Sequence, residues 1–184
     1  MKTIVRNSLL VVIALTAVIA GYVASRWMFE PTVEDGRSIP VDFSLPDVHG
    51  KERSLSEWQA KPVVLNFWAT WCGPCREEVP LLISAQKRYQ KQGLRVVGVA
   101  IDNQESVAAF AKEMKIDYPL LIAEEAGLLL MSRYGNSRGF LPYTVMISRD
   151  GAIVSRHLGG YSDKELTETL NLLVNGDSST ILSK

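Results

Sequence analysis

The chain of 184 residues contains two cysteines, Cys72 and Cys75, inside the stretch NFWATWCGPCREEVP from Asn66 to Pro80. Two cysteines separated by two residues serve four kinds of chemistry: a structural cross-link, half of a metal site, covalent haem attachment or a reversible redox dithiol. A structural bridge over two residues closes a very small loop and removes little unfolded-state entropy. A zinc site needs two further ligands, and only His49, His157 and carboxylates are on offer, none at zinc spacing. Haem attachment requires a histidine directly after the second cysteine, where this chain has Arg76. A redox dithiol requires an accessible, partly ionised sulfur and a second sulfur near enough to close a ring. The flanking residues suit that last use.

Those two sulfurs need a strand-to-helix junction. PVVLNFW, from Pro62 to Trp68, is a run of β formers bounded by a proline and the cysteine loop, and reads as a central buried strand. A helix is predicted from Pro74 to Gln92, ended by Gly93. At such a junction the free N–H groups of the first helical turn point at Cys72 and the helix dipole favours its thiolate. Gly73 permits the tight turn, and Pro74 fits the first helical turn, where its missing N–H has no partner to lose. Cys72 is therefore read as the nucleophile and Cys75, one turn into the helix, as the buried resolving thiol.

The remaining pattern supplies the frame. FSLPDVHGKERSL reads as a hairpin turning at His49-Gly50, and SLSEWQA as a short helical piece capped by Ser54 or Ser56. LRVVGVAI is a second buried strand, NQESVAAFAKEM an amphipathic helix, YPLLI a short strand and EEAGLLLMSRYG a helix stopping at Gly135. YTVMI and AIVSRHL form a hairpin across Asp150-Gly151. SDKELTETLNLLV is a helix with Ser162 and Glu165 forming a capping box. Alternating strands and helices ending in a hairpin and a helix predict an α/β fold, a mixed sheet with helices on both faces.

Beyond the core, Asn7 to Ser25 carry no charge, follow Lys2 and Arg6, and precede Arg26 and Trp27. Nineteen helical residues span about 28 Å, close to the ~30 Å hydrocarbon core of a bilayer. The run is longer than a typical signal core, which favours an uncleaved transmembrane anchor over a signal peptide cleaved near Val18-Ile19-Ala20; a buried helix of a soluble domain is a third reading. The anchor and the signal peptide alike place the rest outside the cytoplasm. With no cysteine nearby, a lipid-modified N-terminus is excluded. The expected organisation is an anchor or signal peptide over 1–29, a linker over 30–40, a folded domain over 41–174 and a flexible tail over 175–184. Formal net charge is zero, with 20 basic and 20 acidic residues. No basic stripe suggests a nucleic-acid partner, and no repeat is evident.

FWATWCGPC resembles the active-site segment of thioredoxins, and Pro80 falls where that family kinks its active-site helix. FSLPDVHGKERSLSEW and PYTVMISRDGAIVSRHLGG extend the likeness toward the membrane-anchored, extracytoplasmic TlpA/ResA-type branch, as does the helix-and-strand insertion between Asp102 and Ile122. The resemblance covers residues 41–173 and implies a thioredoxin fold, a thiol–disulfide oxidoreductase and no cofactor beyond the Cys72–Cys75 disulfide. A peroxiredoxin would carry a threonine three residues before its cysteine, where this chain has Ala69.

The resemblance further implies roles for single residues. Glu78 matches an acid of the branch, three residues after Cys75 on the same helical face; a carboxylate there raises thiol pKa values and relays a proton. Thioredoxins carry an aspartate six residues before the first cysteine, and here Asn66 stands there, unable to accept the proton. Pro142 matches the family's cis-proline, which sets the Leu141 backbone for β-like pairing with a substrate peptide. Trp71, with Gly73 and Pro74, completes the expected substrate surface, while Trp68 is assigned to the core. Partners implied are disulfide-bearing substrate proteins and a membrane thiol donor of the DsbD/CcdA kind. One implied task is reduction of apocytochrome c thiols before haem attachment. Competing readings are net oxidation or isomerisation of secreted proteins, and a non-catalytic module that binds extended peptides.

Overall fold

A computed structural model of the protein describes residues 38–176. The apolar segment expected to anchor or export the chain, and most of the linker and tail, lie outside them. Among the described residues no helix is long and apolar enough to cross a membrane.

Five strands form the central sheet: β3 (Val63–Trp68), β4 (Arg95–Ala100), β5 (Leu120–Ile122), β6 (Tyr143–Ile147) and β7 (Ile153–Leu158), in the order β5-β4-β3-β6-β7. β3, β4 and β5 run parallel, whereas β6 is antiparallel to β3 and β7 to β6. The mixed sheet is that expected. A separate hairpin of β1 (Ser44–Pro46) and β2 (Glu52–Ser54) precedes it, followed by a 3₁₀ turn, Leu55–Trp58. Ser54, the first of the two candidate caps, closes that turn in a capping box with Glu57. Ser38 already pairs with Ile153, so the fold includes the end of the expected linker. At the other end the last helix runs on to Asn175.

All six residues of β3 are buried, because its alternating side chains feed two cores. Val64 and Trp68, with Val96 and Met146 from the neighbouring strands, face α1 (Gly73–Tyr89), α2 (Gln104–Met114) and α4 (Asp163–Asn175). Leu65 and Phe67, with Val97 and Val145, face Trp58 of the 3₁₀ turn and α3 (Ala126–Arg133). The insertion α2-β5 adds the edge strand through parallel pairing with β4. Ser162 with Glu165 forms the expected box, and Asn103, expected inside α2, instead caps it by accepting the Ser106 N–H.

Two element starts differ from expectation for local reasons. β5 begins at Leu120, since Pro119 has no N–H to give the ladder. The helix expected from Glu124 begins at Ala126, because Glu124 has a left-handed φ of 45°.

One close approach fixes the sheet under the reactive loop. Gly98 is the register partner of Asn66, and a Cβ there would stand 2.6 Å from Leu120 Cδ2 and 2.9 Å from Trp68 Nε1. Trp68 is buried and packs against Phe110 at 5.4 Å between ring centroids. Gly98→Ala is expected to lower stability by about 1–3 kcal/mol, the usual cost of overpacking. Chemical denaturation checks this, and an unchanged midpoint with an unchanged slope contradicts it.

Candidate active site

Cys72 and Cys75 form a disulfide with an S–S distance of 2.07 Å. Cys72 is the N-cap of α1, and its sulfur accepts the Cys75 N–H at 3.3 Å. Gly73 and Pro74 occupy the first turn of α1. The strand-to-helix junction thus aims backbone donors at the first sulfur. In this oxidised state Cys72 is 7% exposed and Cys75 1%. Their order of accessibility matches the expected roles. Cys72 is nonetheless more covered than an attacking sulfur was expected to be, because it packs into the core face beneath its own helix. Trp71, immediately before it, is 70% exposed, while Trp68 is core.

The loop before α1 is tethered from the side. Both the backbone N–H and the hydroxyl of Thr70 donate to Asp102 Oδ2 at the end of β4. The Ile101 N–H donates to the Trp68 carbonyl. These bonds hold the Ala69–Cys72 segment against the C-terminal ends of the parallel strands.

Glu78 is not a solvated surface acid. It is 2% exposed, whereas its neighbour Glu77 faces solvent. Its Oε2 accepts from Asn66 Nδ2 at 3.0 Å, and its Oε1 accepts from the Tyr161 backbone N–H at 3.0 Å. Asn66 uses its second amide hydrogen on Thr144 Oγ1 at 2.9 Å. Asn66 and Thr144 are directly opposed on β3 and β6, so both project onto the face that α1 covers. His157 continues the row, opposite Thr144 on β7, and stacks on Tyr161 at 3.8 Å between ring centroids. Burial pushes the Glu78 carboxyl above its ordinary value, against the opposing pull of the Tyr161 and Asn66 donors. Burial, strengthened by repulsion from Glu78 and Glu165, also lifts the Tyr161 hydroxyl to about 12, against a lowering hydrogen bond with Ser155.

Pro142 follows a cis Leu141–Pro142 peptide bond, as the resemblance implied. Leu141 is half-buried between the two cores, and Phe140 beside it is 55% exposed. The loop returns into β6, which places the peptide bond at the sheet edge where Thr70 and the N-terminus of α1 lie, since Tyr143 and Phe67 are register partners.

Thr144 and Tyr161 escaped the sequence reading. An asparagine inside an otherwise apolar strand was a signal that some polar partner faces it. Nothing local pointed to Tyr161, whose contribution is a backbone N–H reached from 83 residues away. Among the described residues, no cluster of three or more His, Cys, Asp or Glu side chains is arranged to hold a metal ion. A cleft of about 300 Å³ between Trp58, Lys61 and the Ser148–Ala152 turn lies at the opposite end of β3 from the disulfide and takes no part in its chemistry.

Fold and site together define a thioredoxin-fold protein with a C-x-x-C disulfide at a helix N-terminus. The chain belongs to the AhpC/TSA family, whose model matches residues 36–156. It is 35% identical over 150 residues to the thioredoxin-like protein YneN of Bacillus subtilis, covering 78% of this chain and 82% of that one. It is 30% identical over 149 residues to the thiol-disulfide oxidoreductase ResA of the same organism, covering 80% of each. A thiol:disulfide interchange protein of the thioredoxin family from Chlorobium tepidum superposes with a TM-score of 0.68 at 26% identity, over 75% of this chain and 97% of that one.

The raised carboxyl makes a signed prediction. A group that binds its proton more tightly when folded stabilises the fold at low pH, and that contribution is lost as pH rises from its unfolded value through its folded one. The oxidised parent should therefore lose stability relative to Glu78→Gln as pH climbs from about 4.5, the ordinary glutamate value, and the difference should level off above the folded pKa. The glutamine keeps its hydrogen bonds if the Asn66 amide turns over, so that its oxygen accepts from Gln at 78 and from Thr144. Urea titrations of both proteins across pH measure this; parallel stability curves contradict it.

Proposed function

We propose that this protein is an extracytoplasmic thiol–disulfide oxidoreductase that works as a reductase of protein disulfides. The observation that carries the reading is the Cys72–Cys75 disulfide at the N-terminus of α1, with the buried Glu78 carboxyl one turn along the same helix. In the reduced protein the Cys72 thiolate attacks one sulfur of a substrate disulfide. The substrate S–S bond breaks, a Cys72–substrate bond forms, and the departing substrate thiolate takes a proton. Cys75 then loses its proton toward Glu78 and attacks the Cys72 sulfur. The mixed disulfide breaks, the second substrate thiol leaves, and the Cys72–Cys75 disulfide remains. Two electrons pass to the substrate and the dithiol is oxidised.

Trp71, Gly73, Pro74, Leu141 and Pro142 form the surface on which the substrate segment lies, with the Leu141 backbone offering β-like pairing. The Gly-Pro dipeptide matches the reducing thioredoxins, near −270 mV, and not the oxidant DsbA, near −120 mV. Outside the cytoplasm such a protein needs an electron source. A membrane thiol donor of the DsbD/CcdA kind fits, with the apolar N-terminus holding the domain at the inner membrane. Relatives named thiol-disulfide oxidoreductase ResA support the redox chemistry, and reduction of apocytochrome c thiols is the task proposed.

Cys75→Ser in the native membrane should accumulate a covalent adduct through Cys72 that dithiothreitol releases, and its partner identifies the substrate. Cys72→Ser should give none. A potential measured against glutathione should fall well below about −180 mV; a value above that would favour net oxidation or isomerisation.

A further inference from the structure

A groove of about 520 Å³ is lined by the apolar side chains of Ile101, Ala123 and Leu128 and by Asp102, Glu124 and Glu125. It sits at the C-terminal ends of the parallel strands β4 and β5, the edge where open α/β sheets take their ligands. Both walls touch the reactive site. Asp102 accepts two hydrogen bonds from Thr70, two residues before Cys72. Leu128 lies against Gly139, where a Cβ would be 3.4 Å from Leu128 Cδ2, and Gly139 leads into Phe140, Leu141 and Pro142. The groove is thus tied on one side to the loop that carries Trp71 and on the other to the segment that leads into the cis-proline.

Its depth depends on Gly127, where a Cβ would stand 2.2 Å from Ile101 Cδ1 and 2.9 Å from the Ala123 Cβ. Without a side chain there, α3 settles onto the strand ends. Of its apolar lining, Leu128 stays 48% exposed, and Trp71 in the reactive loop and Phe140 before the cis-proline are exposed at 70% and 55%. On the rim, Glu124 is held in a left-handed conformation that a β-carbon disfavours. The carboxylates of Glu124 and Glu125 have no hydrogen bond or ion pair among the described residues. Asp102, by contrast, is already satisfied by Thr70 and Asn103.

We propose that this groove is a substrate-selecting subsite, which takes an apolar side chain neighbouring a lysine or arginine in the extended segment that carries the substrate's disulfide. The apolar side chain occupies the Ile101–Ala123–Leu128 floor, and the cation meets Glu124 and Glu125. The inference rests on the reductase reading and deepens it.

The test uses the reduced protein and two synthetic disulfide peptides, identical except that a leucine near the cysteine is flanked by two lysines in one and by two glutamates in the other. The parent should react faster with the lysine peptide by about fivefold or more at low salt, as a pair of exposed charge contacts allows. The preference should shrink as salt rises. In the double variant Glu124→Gln/Glu125→Gln the ratio of the two rates should approach one, and Leu128→Ser should slow both peptides through loss of the apolar floor. Equal rates for both peptides in the parent, with 2-hydroxyethyl disulfide still reduced, would overturn the subsite. Failure to reduce any of the three disulfides would instead overturn the reductase reading. An undiminished ratio in the double variant would place the selection elsewhere and overturn the assignment.

Discussion

Glu78 is the charge on which the rest of the site depends. A carboxylate nearly sealed from water is costly unless donors surround it. Here the two donors come from distant parts of the chain: the Asn66 amide on the central strand and the Tyr161 backbone N–H just before the last helix. The bonds tie β3, α1 and the approach to α4 into one unit on the helix that the disulfide opens. They also leave the carboxyl hungry for a proton, since two hydrogen bonds do not match what water supplied. In the proposed mechanism the helix dipole acts on the first sulfur and the Glu78 carboxyl on the second.

Around that centre the fold is a set of positioning devices. Parallel strands β3, β4 and β5 bring their C-terminal ends to one edge, and Asp102 and the Trp68 carbonyl pin the reactive loop there. The antiparallel β6 returns along β3 and delivers the cis-proline loop to the same edge, because its residue Tyr143 pairs with Phe67. The insertion of α2 and β5, which a minimal frame could omit, widens this edge, and the segments after β4 and β5 line the groove there.

Much of this was legible in the sequence for physical reasons. Long β-former runs, Ser-x-x-Glu boxes and the Cys-Gly-Pro-Cys turn each dictate local geometry, so β3, α1, the last hairpin and α4 were found close to where they lie. Trp68 was assigned correctly to the core and Trp71 to the surface. Single residues moved some boundaries, with Pro119 shortening β5 and left-handed Glu124 delaying α3, while α1, expected to reach Gln92, gives way to a 3₁₀ turn at Gln90–Gln92. The burial of Glu78 could not be read, since a glutamate on a helix is most often solvated and its partners lie far off in sequence. Thr144 and Tyr161 became partners only through strand register and chain return. The groove was invisible for the same reason: Ile101, Ala123 and Leu128 are separated in sequence, and Gly127 packs against Ile101 and Ala123 where a side chain would not fit.

In the proposed mechanism the Glu78 carboxylate governs ionisation of the two thiols. The direct measurement is titration of Cys72 and Cys75 in the reduced protein, followed by thiolate absorbance or alkylation rate against pH, in the parent and in Glu78→Gln. Removal of a nearby negative charge lowers thiol pKa values, so the account predicts that the thiols of Glu78→Gln ionise at lower pH than those of the parent. Superimposable titrations in the two proteins would contradict it.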